Sequence, residues 1–174
     1  MDRNSQARRL VQSFRYAFRG IGYCLINERN FRIHIAAACC VLFFSRFYGL
    51  SRAEIAVLLL TVSIVMAAEL INTAIERLVD MLSPSYNPLA RLAKDIAAGA
   101  VLIFSLIAVA IGFVMFLDVS VFSEIARYLT ATPMRLLLFV ILLLAAGIFI
   151  FAGPRGIAAF FKKLLGKKKN NIDK

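Results

Sequence analysis

The chain has 174 residues, of which 61% are apolar and 18% charged, with a mean hydropathy of +0.79. A soluble domain is nearer half apolar and a quarter charged, so the composition describes a membrane protein and leaves no length for a separate soluble catalytic domain. The net charge of +11 does not point to nucleic acid, because base readout needs a folded polar face and this chain lacks one. Seven of the 21 basic residues lie in 1–32 and seven in 155–174, flanking the apolar runs. There they set topology and attract anionic lipid.

In chain order, residues 5–26 carry Leu10, Phe14, Ala17, Phe18, Ile21 and Leu25 at spacings of three and four, with Arg8, Arg15 and Arg19 between them. That pattern predicts an amphipathic helix lying in the headgroup layer. Four apolar runs follow, at 33–50, 55–68, 96–117 and 136–152. Spans are expected at about 31–50, 53–82, 95–117 and 134–152, the last ended by Gly153-Pro154, since about 20 residues cross a bilayer core. The second run is short and leads into charged residues. A helix over 52–82 would be about 45 Å long at 1.5 Å per residue, so its end projects beyond the core. Four spans put both termini on one side, and the basic clusters make that side cytoplasmic. No cleaved signal peptide is expected, because the first apolar run starts only near Ile33. The three cysteines, Cys24, Cys39 and Cys40, form no CxxC and read as small buried hydrophobes.

Polar residues gather at the cytoplasmic ends of the first three spans: Asn27-Glu28 before the first, Glu69, Asn72, Glu76 and Asp80 continuing the second, and Lys94-Asp95 opening the third. At 100° per residue, positions 69, 72, 76 and 80 share one helix face. Three carboxylates so placed need something cationic opposite. One candidate is Mg²⁺, which one or two carboxylates plus substrate phosphates can hold. Lys94 is another, at a helix start where free N–H groups also favour a phosphate. The set fits phosphoryl transfer from Mg·ATP. It also fits a solvated acidic face, a subunit contact or a cation path in a non-enzymatic membrane subunit. No GxxxxGK[ST] or kinase-type Gly-rich loop is present.

Asn27-Glu28-x-x-Phe31, Glu69-Leu70-Ile71-Asn72-Thr73-Ala74-Ile75-Glu76-x-x-Val79-Asp80 and Ala93-Lys94-Asp95-x-Ala97-Ala98-Gly99-Ala100-Val101-Leu102, in order and at matching spacing over about 8–118, resemble the small bacterial membrane kinases of the diacylglycerol kinase and undecaprenol kinase family. The resemblance implies an all-α kinase of the bacterial inner membrane: a surface helix, three transmembrane helices and a homotrimer with shared active sites. It implies Glu28 and Glu76 as metal ligands, Glu69 as the base toward the lipid hydroxyl and Lys94 on the ATP phosphates. Asn72, Asp80 and Asp95 would support that nucleotide cluster, with Arg9 assisting on the nucleotide side. Asn27–His34 and Ala97–Ala100 look more like the undecaprenol branch than the diacylglycerol branch. His34, the only histidine, reads as an interfacial residue with a satisfied ring, or as a residue lining the site. Residues 119–174, with the fourth span and the basic tail, lie outside the family pattern. They form an extra anchor whose Lys162–Lys169 stretch would bind anionic lipid.

Overall fold

The computed structural model describes residues 3–170. Six α-helices follow one another: α1 (Arg3–Asn27), α2 (Arg29–Phe44), α3 (Arg52–Leu82), α4 (Pro88–Phe116), α5 (Val119–Thr130) and α6 (Pro133–Asn170). There is no strand among the described residues. Four stretches are long and apolar enough to cross a bilayer: Arg29–Phe47, Arg52–Leu82, Pro88–Phe116 and Pro133–Phe160. The large side chains that look outward, among them Leu60, Ile103, Leu106, Val114 and Leu142, are apolar. This is the inverse of a soluble surface, and the protein is an integral membrane protein. Helices α3 and α4 share the most extensive packing, around Val65, Ala68, Ala97 and Val101. Small residues there let two backbones approach where hydrophobic burial drives little.

Local chemistry sets most boundaries. Asn27 returns its side-chain amide to the Tyr23 carbonyl at 2.7 Å, and Glu28 is extended at φ −104, ψ 117, so α1 turns into α2 at one residue. Ser51 and Glu54 form a capping box at the start of α3. Asn87 caps α4 by accepting from the Leu89 N–H (2.9 Å) and the Ala90 N–H (3.4 Å), with Pro88 at the first helical position.

Several sequence expectations are corrected here. The first span ends in a 3₁₀ turn at Ser45–Phe47 followed by Gly49 at φ 56, a conformation that stops the helix short of residue 50. Helix α4 starts at Pro88, seven residues before the expected 95, because the Asn-Pro pair caps a helix rather than making a loop. Lys94 therefore sits well inside the first two turns, and the nearest free N–H groups are taken by Asn87. The idea that Lys94 works beside an open helix N-terminus fails. Residues 119–130 are helical, capped by Asp118, whose Oδ1 accepts from the Ser120 N–H at 2.9 Å. These hydrogen bonds hold the Asp118 carboxyl below its usual range. Phe122, Ile125 and Leu129 from α5 close the end of the bundle opposite α1, against Phe44, Phe116 and Phe139. Gly153, where the fourth span is expected to end, breaks α6 at φ 63, ψ 174, and a second helical segment continues beyond it to Asn170. Of Lys162–Lys169, the side chains of Lys167, Lys168 and Lys169 lie outside the described residues. Cys24 is buried, but Cys39 and Cys40 are exposed on the outer face of α2.

Candidate functional site

The polar stripe on α3 is continuous, since the helix runs unbroken from Arg52 to Leu82. Its residues change character along the axis. Glu69, Asn72 and the neighbouring Thr73 are buried, Glu76 is half-buried and Asp80 is exposed. From Glu69 to Asp80 is eleven residues, about 16 Å of helix. The stripe therefore climbs from the packed bundle to its surface at the α1 end.

Each carboxylate of the stripe meets a different partner. Glu69, 3% exposed, faces His34 of α2, with Nε2 to Oε1 at 3.3 Å. The imidazole is the group that meets this buried carboxylate across the α2–α3 interface. Glu76 accepts from Asn72 Nδ2 at 3.0 Å. Asp80 pairs with Lys94 of α4. The expected opposing cation is thus present, and it reaches the outermost carboxylate. Glu28, at the α1–α2 corner, accepts from Arg77 Nη2 at 2.9 Å. Arg77 also lies over the Tyr23 ring, 5.5 Å from its centroid, which ties α1 to the same stretch of α3. Asp95 is exposed one residue beyond Lys94. Arg9 is exposed on α1, and its guanidinium has no partner among the described residues. The structure does not bring it to the cluster.

Burial pushes the Cys24 thiol up, against a hydrogen bond from Thr73. The pair closes α1 on α3 one residue from Asn72 and disfavours the thiolate that would react.

Among the described residues no group of three or more His, Cys, Asp or Glu could hold a metal. A Mg²⁺ held by two carboxylates and by substrate phosphates needs no such group. Asn72 Oδ1 is buried without a hydrogen-bond partner, next to Glu76. Buried polar atoms are normally paired, so this amide oxygen and the adjoining carboxylate are a donor set that fits a hard cation.

Two openings meet at the His34–Glu69 pair. One, of about 280 Å³, is lined by Asn30, Ile33, His34, Glu69, Ala98, Val101, Leu102 and Ser105. The other, of about 270 Å³, runs between α2, α3 and α4 from His34 to Phe116 past Leu58, Val65 and Ala108. It is lined almost wholly by carbon. Ser105 borders both openings, and its hydroxyl is buried without a partner. A buried carboxylate facing a half-buried imidazole at the head of an apolar groove, with cation-bearing positions between it and water, can deprotonate the polar end of an otherwise apolar molecule.

His34, which the sequence leaves between an interfacial residue and one lining the site, lines both openings and faces Glu69. Two residues escaped the sequence reading. Arg77 follows Glu76 and carried no separate signal. Arg32, 6% exposed, was counted only among the flanking basic residues.

The sequence pattern described as prokaryotic diacylglycerol kinase matches residues 15–116, ending where α4 ends and beginning after Arg9. An undecaprenol kinase of Bacillus subtilis is 42% identical over 116 residues, 67% of this chain and 94% of that one. A diacylglycerol kinase of Synechocystis is 45% identical over 104 residues, 59% of either chain. That of Escherichia coli K12 is 31% identical over 101 residues, 58% of this chain and 83% of the other. The matched stretch contains every residue of the stripe, its partners His34, Arg77 and Lys94, and Glu28. The chain belongs to the prokaryotic diacylglycerol kinase family and is an integral-membrane lipid kinase.

Proposed function

We propose that this kinase transfers the γ-phosphoryl group of Mg·ATP to the hydroxyl of undecaprenol at the cytoplasmic face of a bacterial inner membrane. The observation that carries the reading is the buried Glu69 carboxylate facing the half-buried His34, which stands at the head of the apolar groove between α2, α3 and α4. The first isoprene units of a long isoprenoid alcohol would lie in this groove with the hydroxyl turned past His34 toward the carboxylate. His34 keeps Glu69 oriented, and Glu69 accepts the proton as the hydroxyl oxygen attacks phosphorus. Lys94, released from Asp80, meets the phosphate charge. Glu76, Asn72 and Glu28 would hold Mg²⁺, which neutralises phosphate oxygens when bound. Asp95 would stand toward water, on the nucleotide side. Catalysis of this kind rests on positioning and charge stabilisation more than on covalent chemistry. The basic residues flanking the spans support a cytoplasmic site and cytoplasmic termini, and the family resemblance supports a homotrimer.

The undecaprenol reading is supported by the Bacillus subtilis relative, which this chain matches over 94% of its length. The Synechocystis relative, at 45% identity, favours diacylglycerol as the second reading. Purified protein is offered both lipids in parallel mixed micelles with labelled Mg·ATP, and Glu76→Gln serves as control. Transfer to undecaprenol that the variant abolishes supports the proposal. Preference for diacylglycerol keeps the mechanism and overturns the substrate. No transfer to either lipid from folded protein overturns the proposed reaction.

A further inference from the structure

Arg32 is the one buried basic side chain among the described residues, and no carboxylate pairs with it there. A buried charge is costly unless its hydrogen-bonding groups are satisfied. Arg32 satisfies them with carbonyls from two helices. Its Nη1 donates to Leu25 (3.3 Å) and Ile26 (3.2 Å), and its Nε donates to Ile150 (3.1 Å).

All three acceptors lack a helical partner for a reason written in the sequence. Leu25 and Ile26 lie in the last turn of α1, where carbonyls have no N–H above them and the helix dipole favours a cation. Ile150 would receive the N–H of residue 154, but residue 154 is Pro and has none. Gly153 completes the fit. It stands at φ +63, and a Cβ there would meet Arg32 Cζ at 3.0 Å and Nη1 at 3.1 Å. The proline exposes the acceptor, and the glycine makes room for the guanidinium.

Helix α6 lies beyond the family match at 15–116, so this joint links the added segment to the kinase core. Arg32 also follows Glu28 by one turn, with its own N–H on the Glu28 carbonyl at 3.4 Å. Between them Phe31 is fully buried.

We infer that α6 is a working part of the kinase rather than a separate anchor: its Gly153-Pro154 kink grips Arg32, and Arg32, a positioning residue, holds the α1–α2 corner and with it Glu28. The consequence for turnover rests on the proposed role of Glu28 toward Mg·ATP. The consequence for structure does not.

The test uses the full chain in micelles with Gly153→Ala, Pro154→Ala and Arg32→Gln. Two readouts are taken: amide hydrogen exchange over 24–32, and the KM values for Mg·ATP and lipid. Gly153→Ala pushes a methyl into the guanidinium without altering any of the proposed reacting groups. It is expected to speed exchange over 28–32 about tenfold and to raise the KM for Mg·ATP by up to about 100-fold, the scale of a small misplacement, with the KM for lipid unchanged. Pro154→Ala should act in the same direction and less, because the helix regains its own donor to Ile150. Unchanged exchange in all three folded variants overturns the joint. Faster exchange with an unchanged KM for Mg·ATP overturns the positioning role. Glu28→Gln in the parent chain separates the two ideas: if it too leaves that KM unchanged, the role of Glu28 has failed, and exchange alone decides whether α6 holds the corner.

Discussion

His34 Nε2 lies 3.3 Å from Glu69 Oε1, joining α2 to α3 at a depth where the surrounding side chains are apolar. Glu69→Gln removes the proton acceptor while keeping shape and hydrogen bonding. Turnover should fall about 10²- to 10⁴-fold, the usual worth of a positioned base, with the thermal midpoint little changed. His34→Ala instead leaves a buried carboxylate without the imidazole that faces it. It should cost about 1–3 kcal/mol of stability as well as activity, and His34→Gln should recover part of both. Circular dichroism melts beside phosphate-transfer rates would separate the two effects. Equal rates for Glu69→Gln and wild type would remove Glu69 from the chemistry.

Asp80 and Lys94 pair at the bundle surface with half of Asp80 exposed, so the pair should contribute only about 0–1 kcal/mol. Its interest is competition. Asp80→Asn frees Lys94 and should leave the melting temperature nearly unchanged while lowering the KM for Mg·ATP. Lys94→Ala should raise that KM and depress kcat. If both variants move the KM for Mg·ATP in the same direction, Asp80 belongs with the binding groups and is no competitor.

The basic tail is separable from the Arg32 joint, because a chain ending at residue 154 keeps both Gly153 and Pro154. Deleting 155–174 should weaken binding or activity on anionic vesicles, by about 1 kcal/mol for each basic residue that reaches the surface, and leave neutral vesicles unaffected. An equal loss on both would show that the segment acts through structure and not through charge.

Burial raises the Cys24 thiol above its ordinary value of 9.0. The folded protein therefore holds this proton more tightly than the unfolded chain does. The stability this contributes is complete below pH 9.0 and is lost as pH rises from there through the folded value. Denaturation midpoints measured from pH 8 to pH 10.5 should fall more steeply for wild type than for Cys24→Ala. Parallel curves for the two proteins would contradict it.

Much of the molecule is legible along the chain because helices impose their period on sequence. The apolar runs give four spans, the alternation of Leu, Phe and Arg gives α1, and the spacing 69, 72, 76, 80 gives a polar face on α3 before any coordinates. Helix starts were legible only where cap chemistry was given its weight. Asn87-Pro88 and Asp118 both begin helices, and expecting spans only where the apolar runs lie placed the start of α4 at 95 and left α5 unforeseen.

Pairing across the bundle was not legible. The sequence by itself determined that Glu69, Glu76 and Asp80 share a face, since that follows from 3.6 residues per turn. Only the tertiary structure decided that Glu69 meets His34, that Lys94 meets Asp80, and that Arg77 reaches Glu28 across 49 positions. It also decided that the Ile150 carbonyl, left free by Pro154, receives Arg32 across 118 positions. Those choices depend on how helices rotate and slide against one another, and no local period carries that information. The residues alone say which groups need a partner. The packing of α1, α2, α3, α4 and α6 decides which partner is near.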